Sequence, residues 1–342
     1  MSYNKTEEKT VIAENTLLPT AACPVGSRQN RPHGKSRRMK LLERMGCFGP
    51  LPPGVSIYRA TTLDDLCDAY RLVHDSFVKE GYILPQPSGV RIRMFETLPE
   101  TATFIAKEGE NFVGATTVIT DSPDLGLPSD KAFRKEIDQL RHMGRKVCEG
   151  TNWVITPEYR RTPVMTELMR CCFAHAIENG CTDLLADVSP SHQAFYELMA
   201  FELIGSLRNS SPDVEDPVVL VNLPITEAVE NVADLGIEDD FDLAQVKVFY
   251  LDTNQYRDKV EQWATKAESA FRDSAFLREL FVEQSDFLDN CSQENLDIIS
   301  QRWGEETFMD VMGHSVLCRS LTLPSVDYLS SITGFYHSHK PT

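Results

Sequence analysis

The segment 147–178 constrains the fold of this chain more than any other. The apolar run Trp153-Val154-Ile155 predicts a buried strand, and Met165–Glu178 has the spacing of an amphipathic helix. Arg160 and Arg161 lie in the turn between the two. Because a helix N-terminus offers free N–H groups and the positive end of a dipole, a basic turn before it suits a phosphate group. Ordinary surface arginines are the alternative interpretation.

Further strand and helix segments lie on either side of this one. Cys181–Val188 predicts another buried strand, and a Ser-Pro turn then leads into a helix that bears His192 and Tyr196. Upstream, two β-branched runs around a Gly-containing turn predict an antiparallel hairpin over Thr103–Ile119. Strands that alternate with helices in this way predict an α/β (α+β) domain with helices packed on a central sheet.

The layout of these segments resembles the Gcn5-related N-acetyltransferase superfamily. In that superfamily, small residues in the turn before the helix let the backbone approach the pyrophosphate of coenzyme A. Aligned on Tyr159-Arg160, those positions hold Pro163 and Met165. Bulky side chains prevent such a close approach. The departure favours an acyl carrier protein, which presents a single phosphate, as the carrier of the phosphopantetheine thioester; acyl-coenzyme A is the alternative co-substrate.

A narrower resemblance is to the long-chain N-acyl amino acid synthases of the FeeM type, which are akin to acyl-homoserine lactone synthases. It runs through residues 56–225 and rests on the order of several motifs, among them Arg91-Ile-Arg93, Glu149 and Ser191-His192. The resemblance implies a Gcn5-related acyltransferase fold with a mixed central sheet. One departure is that Thr151-Asn152 stands where both families carry Ser-Arg after the glutamate.

The resemblance also implies roles for two catalytic residues. Amide formation from a thioester needs an amine stripped of its proton, a polarised carbonyl and a thiolate that can be protonated. Glu149 is the expected base, with a pKa raised by partial burial beside Trp153, and a backbone N–H near Gly150–Thr151 is the expected oxyanion donor. Tyr196 takes the general-acid position. The alternatives are a salt-bridged glutamate at a strand end and a tyrosine packed in the core.

Five further residues are expected to bind substrates. Arg91 and Arg93 are candidates for bidentate binding of the acceptor's carboxylate, or else surface arginines. Thr151 and Asn152 follow the predicted base directly, and His192 matches a histidine of the family. The departure at Asn152 removes the arginine that the family places there. No metal ligands are expected.

Charge is distributed unevenly along the 342 residues. Residues 1–54 carry a net charge of +5, so the remainder must carry −22 to give the total of −17. An acidic body is a poor binder of nucleic acid, because phosphate contacts dominate that affinity. It should also repel an acidic carrier protein unless the docking face is locally basic, and Arg160, Arg161 and Arg170 are the candidates for such a face.

The chain divides into three predicted regions. Residues 1–54 form a basic, flexible arm that is either solvated or a clamp for a carrier protein or an anionic lipid surface. Residues 55–225 form the acyltransferase domain. Residues 226–342 form a mainly helical region of unknown role, with an acidic stretch at Glu227–Asp242 and a short strand at Phe249–Leu251.

Cysteine usage and hydropathy predict the compartment. The nine cysteines are odd in number and include no Cys-x-x-Cys pair, which indicates reduced thiols rather than disulfides or zinc. No apolar run approaches the roughly 18 residues of a membrane span, and residues near Met1 show no hydrophobic signal core. We therefore expect a cytoplasmic protein.

Three functional hypotheses remain open at this point. The first is an N-acyl amino acid synthase that uses an acyl carrier protein as donor and an amino acid as acceptor. The second is an acyl-homoserine lactone synthase-like enzyme, which would need S-adenosylmethionine and a lactonisation step. The third is a catalytically degenerate fold that binds an acyl ligand and signals. Asn152 favours the third, whereas Glu149 and Tyr196 disfavour it.

Overall fold

The computed structural model describes residues 37–209, 216–225 and 248–313. The first 36 residues of the predicted arm and the acidic stretch Glu227–Asp242 lie outside these ranges, as does the chain after residue 313. None of the helices in the described ranges has the length and apolar character needed to cross a membrane.

The fold is built on a mixed sheet of seven strands in the order β1-β2-β3-β4-β5-β7-β6. All neighbouring strands are antiparallel except β4 and β5, which are parallel. The predicted mixed central sheet and the hairpin, formed by β2 and β3, are confirmed. The strands are β1 Val55–Arg59, β2 Ala102–Glu108, β3 Asn111–Thr120, β4 Val147–Ile155, β5 Asp183–Val188, β6 Glu202–Arg208 and β7 Val218–Pro224.

Helices cover both faces of the sheet. They are α1 Arg37–Arg44, α2 Leu63–Glu80, α3 Asp130–His142, α4 Val164–Glu178, α5 Pro190–Leu198, α6 Arg257–Ala270, α7 Ser274–Arg278, α8 Gln293–Trp303 and α9 Glu305–Met312. Side chains alternate along a strand, so Val118 packs with the α4 core while its neighbour Ile119 packs with α3. We call these the α4 face and the α3 face; α1, α5 and α6 share the first, and α2 shares the second.

The sheet separates at its centre, between β4 and β5. The ladder joins only Val147–Glu149 to Asp183–Leu185. Further along β4, a β-bulge places Asn152 and Trp153 opposite a single β3 residue. Asn152 has a φ of 53°, a left-handed conformation that asparagine tolerates better than most residues. The bulge turns β4 away from β5 and opens a gap in the sheet.

Residues 37–54 fold with the catalytic domain, which corrects the predicted arm boundary at residue 54. Leu42 of α1 is fully buried in the α4 core, and Cys47 is buried beside it. The Thr166 hydroxyl of α4 donates a hydrogen bond to the carbonyl of Cys47. Leu42 and Cys47 therefore attach this segment to the core, whereas Leu41 is exposed.

Residues 248–313, the described part of the chain after the sheet, are mainly helical, as predicted, except at one point. The aromatic run Phe249–Leu251 was predicted to be a strand and instead lies in a π-helical turn, Val248–Asp252. The prediction was wrong because packing overrides the β-propensity of aromatic residues. The Tyr250 ring stacks on Phe173 of α4 with centroids 4.9 Å apart.

Candidate active site

A cleft of about 450 Å³ opens where β4 and β5 separate. One part of its wall is polar, and another part is aromatic. Residues from α2, β4, β5 and α5 and from the turn after α1 contribute, among them Met45, Phe77, Thr151, Asn152, Trp153, Asp187, His192 and Tyr196. Its volume falls within the range of small-molecule sites in proteins.

An inner pocket continues from this cleft into the α4 face. Gly150, Trp153 and Tyr196 line both spaces. Beyond them the walls are almost entirely apolar and the free volume falls to about 20 Å³. The remaining wall residues are Met169, Cys172, Leu184, Leu185, Ala186, Phe201 and Tyr250. A hydrocarbon group could enter this pocket without leaving a polar group unpaired.

Glu149 lies on the last rung of the β4–β5 ladder and is 0% exposed. Its Oε2 atom accepts a hydrogen bond from the backbone N–H of Ser129, at 3.0 Å, immediately before α3. Burial, and secondly the charge of Asp187, raise the pKa of Glu149 well above its usual range. Glu149 is therefore completely buried, whereas partial burial was predicted. Its hydrogen-bonding neighbour is Ser129 on the α3 face rather than Trp153.

Asp187 is a candidate site residue that the sequence analysis missed. It lies on β5, two residues beyond Leu185, and lines the cleft that Glu149 does not reach. Because side chains alternate along β5, Leu185 and Asp187 both lie on the α3 face, where Glu149 also lies. The signal in the sequence was a carboxylate inside the apolar run Leu184–Val188. The two carboxyl groups form a pair that the cleft reaches through Asp187.

Arg91 and Arg93 occupy positions that neither predicted interpretation describes. Arg91 is buried, with its Nε donating to Asn152 Oδ1 at 3.3 Å and its guanidinium 5.1 Å from the Phe77 ring centroid. Arg93 forms an ion pair with Glu96, with 2.7 Å between Arg93 Nη2 and Glu96 Oε1. Glu96 also accepts from Asn152 Nδ2 at 3.1 Å. Arg91 thus holds Asn152 directly and Arg93 holds it through Glu96, and neither arginine lines the cleft.

The two residues of the bulge, Asn152 and Trp153, both line the cleft. We expected the oxyanion donor near Gly150–Thr151, and the structure places the irregular backbone at Asn152–Trp153. The side chain of Asn152 is fixed by Arg91 and Glu96, so its backbone is held as well. A backbone N–H held outside the ladder suits a developing oxyanion, because it needs little reorganisation.

Tyr196 and His192 reach the cleft from α5. The Tyr196 ring makes edge contacts with Phe195 and Phe201, with centroids 5.8 Å and 5.1 Å apart. Burial raises the pKa of the Tyr196 hydroxyl, so the phenol keeps its proton at neutral pH and remains a donor. His192 is exposed at the rim. The structure thus brings Thr151, Asn152, His192 and Tyr196 to one cleft.

Arg160 and Arg161 are exposed in the turn before α4, as predicted. Arg160 lies 3.7 Å from Glu80, and both side chains are at least half exposed, so the pair is weak. The backbone of Arg161 is covered: a Cβ atom added at Gly46 would lie 2.2 Å from its carbonyl oxygen. The segment after α1 therefore crosses the first turn of α4.

Residues 68–224 match the family model of the N-acyl amino acid synthase FeeM. This part of the chain is similar to the FeeM family. This similarity identifies the protein as an N-acyltransferase. Curated protein sequences gave no significant match. The FeeM segment ends before Tyr250 and begins after Met45, so residues outside it complete both the cleft and the inner pocket.

Solved structures with a similar fold include synthases and acetyltransferases. FeeM from uncultured soil microbes is 24% identical, with 52% of this chain and 93% of FeeM covered and a TM-score of 0.45. The CoA-dependent acyl-homoserine lactone synthase BjaI is 14% identical, with 57% and 100% covered and a TM-score of 0.37. A GNAT-family acetyltransferase from Streptococcus pneumoniae is 14% identical, with 50% and 99% covered and a TM-score of 0.36.

Proposed function

We propose that this N-acyltransferase moves a long-chain fatty acyl group from acyl carrier protein to the amine of an amino acid. The observation that carries the proposal is the gap between β4 and β5, where a polar wall with Asp187 meets an apolar inner pocket. Acyl transfer to an amine needs both environments at one point, since the chain is apolar and the reacting groups exchange protons.

The donor is proposed to lie along the aromatic side of the cleft. Its thioester carbonyl sits at the Asn152–Trp153 bulge, and the methyl end of the acyl chain enters the inner pocket beyond Trp153 and Tyr196. The backbone at the bulge stabilises the oxyanion of the tetrahedral intermediate. This placement uses the two irregular features of β4, its bulge and its separation from β5.

The Glu149–Asp187 pair is proposed to remove the proton from the acceptor's ammonium group. Asp187 lines the cleft and passes the proton to Glu149 behind it, which is the base of the pair. The free amine then attacks the thioester carbonyl, so a C–N bond forms and the C–S bond breaks. The Tyr196 hydroxyl donates its proton to the departing thiolate, and the second proton that the nitrogen loses as the amide forms restores the phenol.

The acceptor's carboxylate needs a positive group, and the cleft offers one candidate side chain. Among the described residues that line it, His192 alone can carry a positive charge. His192 lies in the first turn of α5, where the helix dipole also favours an anion. Asp187 and Asp216 in the same walls favour the ammonium end of the acceptor. This acidic lining makes an amine without a carboxylate a second candidate acceptor.

Three features of the α4 N-terminus support a carrier protein as donor. Pro163 and Met165 leave no small residues in the turn, and the Gly46–Cys47 segment covers the first helical turn. Little room remains there for a pyrophosphate. Arg160 and Arg161 are exposed beside this turn and are proposed to bind the single phosphate of phosphopantetheine.

The full chain should be incubated with long-chain acyl carrier protein, or the matching acyl-coenzyme A, together with mixed amino acids and simple amines. Mass spectrometry of the organic extract should show an N-acyl amino acid, formed faster from the carrier protein. N-acyl amines alone would support the second acceptor class, and an acyl-homoserine lactone that needs S-adenosylmethionine would identify the other synthase. Absence of every product, with the acyl ligand bound, would favour the non-catalytic hypothesis. The matched control is Glu149→Gln.

A further inference from the structure

Tyr250 forms the floor of the inner pocket and comes from outside the FeeM segment. It lies in the turn Val248–Asp252, whereas the family match ends at residue 224. The side chain is 2% exposed. Its ring stacks on Phe173 with an interplanar angle of 20°, and its hydroxyl donates to the sulfur of Met169 at 3.7 Å. Both partners belong to α4.

Hydrogen bonds fix the turn that carries Tyr250 to the middle of α4. The Asn254 side-chain amide donates to the carbonyl of Tyr250 at 2.9 Å and to the carbonyl of Arg170 at 2.8 Å. The Arg170 guanidinium donates to the carbonyl of Thr253 and lies 4.7 Å from the Phe249 ring centroid. Because contacts on both sides hold this turn, Tyr250 forms a rigid floor.

The other walls of the inner pocket belong to the sheet, to α4 and to the end of α5. Leu184 and Ala186 come from β5, and Met169 and Cys172 come from α4. The free volume of about 20 Å³ is small beside the 450 Å³ of the cleft. A chain that enters past Trp153 therefore meets Tyr250 after a short distance.

We propose that Tyr250 sets the length of the acyl chain that the enzyme accepts, because the terminal methyl group stops against its ring. The inference rests on the proposed function, in which the acyl chain enters this pocket. A rigid apolar floor discriminates by length, since an extra methylene must displace packed side chains. The specificity of the FeeM domain is thereby set by a residue of the region that follows it.

Enlarging the pocket should shift the preferred donor. Tyr250→Ala and Tyr250→Leu are assayed with carrier proteins that are loaded with straight acyl chains from octanoyl to stearoyl. Both variants should prefer a longer chain than wild type. For the next longer donor after the one that wild type prefers, kcat/KM should rise about tenfold or more. Tyr250→Phe keeps the ring and should keep the wild-type optimum. Leu251→Ala removes buried volume from the same turn without lining the pocket, and should also keep it.

A second readout does not depend on turnover. Free fatty acids of the same series are titrated into each variant, and binding is followed by the change in tryptophan fluorescence, to which Trp153 contributes because it lines both spaces. A longer preferred fatty acid in Tyr250→Leu, without any acyl transfer, would support the length limit and overturn the proposed transfer reaction. Transfer with an unchanged optimum in Tyr250→Leu would overturn the length limit alone. If thermal melts show that Tyr250→Ala does not fold, Tyr250→Leu decides, because it keeps a buried apolar group.

Discussion

The two faces of the sheet differ sharply where β4 and β5 separate. On the α4 face the inner pocket is apolar and ends at Tyr250. On the α3 face lie the carboxyl groups of Glu149 and Asp187, with a hydrogen-bonded network around Asn152 behind them. Burying a carboxyl group beside a hydrocarbon chain, without hydrogen-bond partners, costs free energy. The sheet keeps them apart, and the gap lets them meet at the thioester.

The comparison also explains why the carboxyl pair is buried at all. A fully buried glutamate whose pKa is raised by burial and by a second carboxylate is costly for the folded protein. Such groups concentrate at functional sites, where the shifted pKa serves proton transfer. On the α4 face the buried thiols of Cys171 and Cys172 also have raised pKa values, from burial, and behave as apolar packing groups.

The largest effect is expected from Glu149→Gln, which removes proton chemistry from the α3 face and leaves the α4 face unchanged. The variant should fold and lose kcat by about 10²–10⁴-fold, the range for a general base. Steady-state assays with the preferred donor and acceptor measure this loss. A wild-type kcat at saturating substrate would remove the α3 face from the mechanism.

Asp187→Asn should separate the two members of the pair. Its charge is the second cause of the raised pKa of Glu149, so its loss should lower that pKa. If activity requires the pair to be ionised, the rise of kcat with pH should move to lower pH in this variant, and kcat itself should fall by about tenfold or more. A pH–rate profile that is displaced to higher pH, or not at all, would contradict the pairing.

Arg160→Ala combined with Arg161→Ala tests the donor end of the cleft. Each charge-assisted hydrogen bond to a phosphate is worth roughly 1.5–3 kcal/mol, so the donor KM should rise well over tenfold while the acceptor KM changes little. The difference in donor KM between the double variant and wild type should shrink at high salt, because screening already weakens the wild-type contact. Arg134→Ala on α3, another exposed arginine away from this turn, is the control and should leave the donor KM unchanged.

The smallest effect concerns stability, and again involves the α3 face only. Folded Glu149 keeps its proton at pH values where an unfolded glutamate, with a pKa near 4.5, has lost it. The folded state then binds more protons, so stability falls as pH rises from about 4.5 toward the raised pKa. Glutamine removes this dependence, so the free energy of unfolding of Glu149→Gln relative to wild type should increase across that window, by about 1.4 kcal/mol per pKa unit. Denaturant titrations at several pH values measure this difference. A difference that does not change with pH would contradict the raised pKa of Glu149.

The sequence predicted the periodic parts of the molecule well. The strand and helix of residues 147–178 and the β2–β3 hairpin follow from local hydrophobic spacing, which depends on neighbours in the chain. The resemblance placed Asn152, His192 and Tyr196 near the substrate, and the structure brings these three to the cleft. Their chemical roles remain predictions.

The missed features all depend on tertiary contacts. The burial of Arg91 behind Phe77 and the pairing of Glu149 with Asp187 join residues from separate elements, so spacing along the chain carries no sign of them. The bulge at Asn152 depends on how β3 and β4 pair. Tyr250 reads as a strand residue by propensity, and its place on α4 is decided by aromatic packing.

The most direct test of the division between the two faces compares fatty-acid affinity with turnover in Glu149→Gln. Titration of the preferred free fatty acid, followed by tryptophan fluorescence, gives Kd for the wild type and the variant. If the acyl chain lies on the α4 face and proton transfer on the α3 face, Kd should stay within about twofold while kcat falls by 10² or more. A Kd that rises in proportion to the loss of kcat would show that both functions share one site.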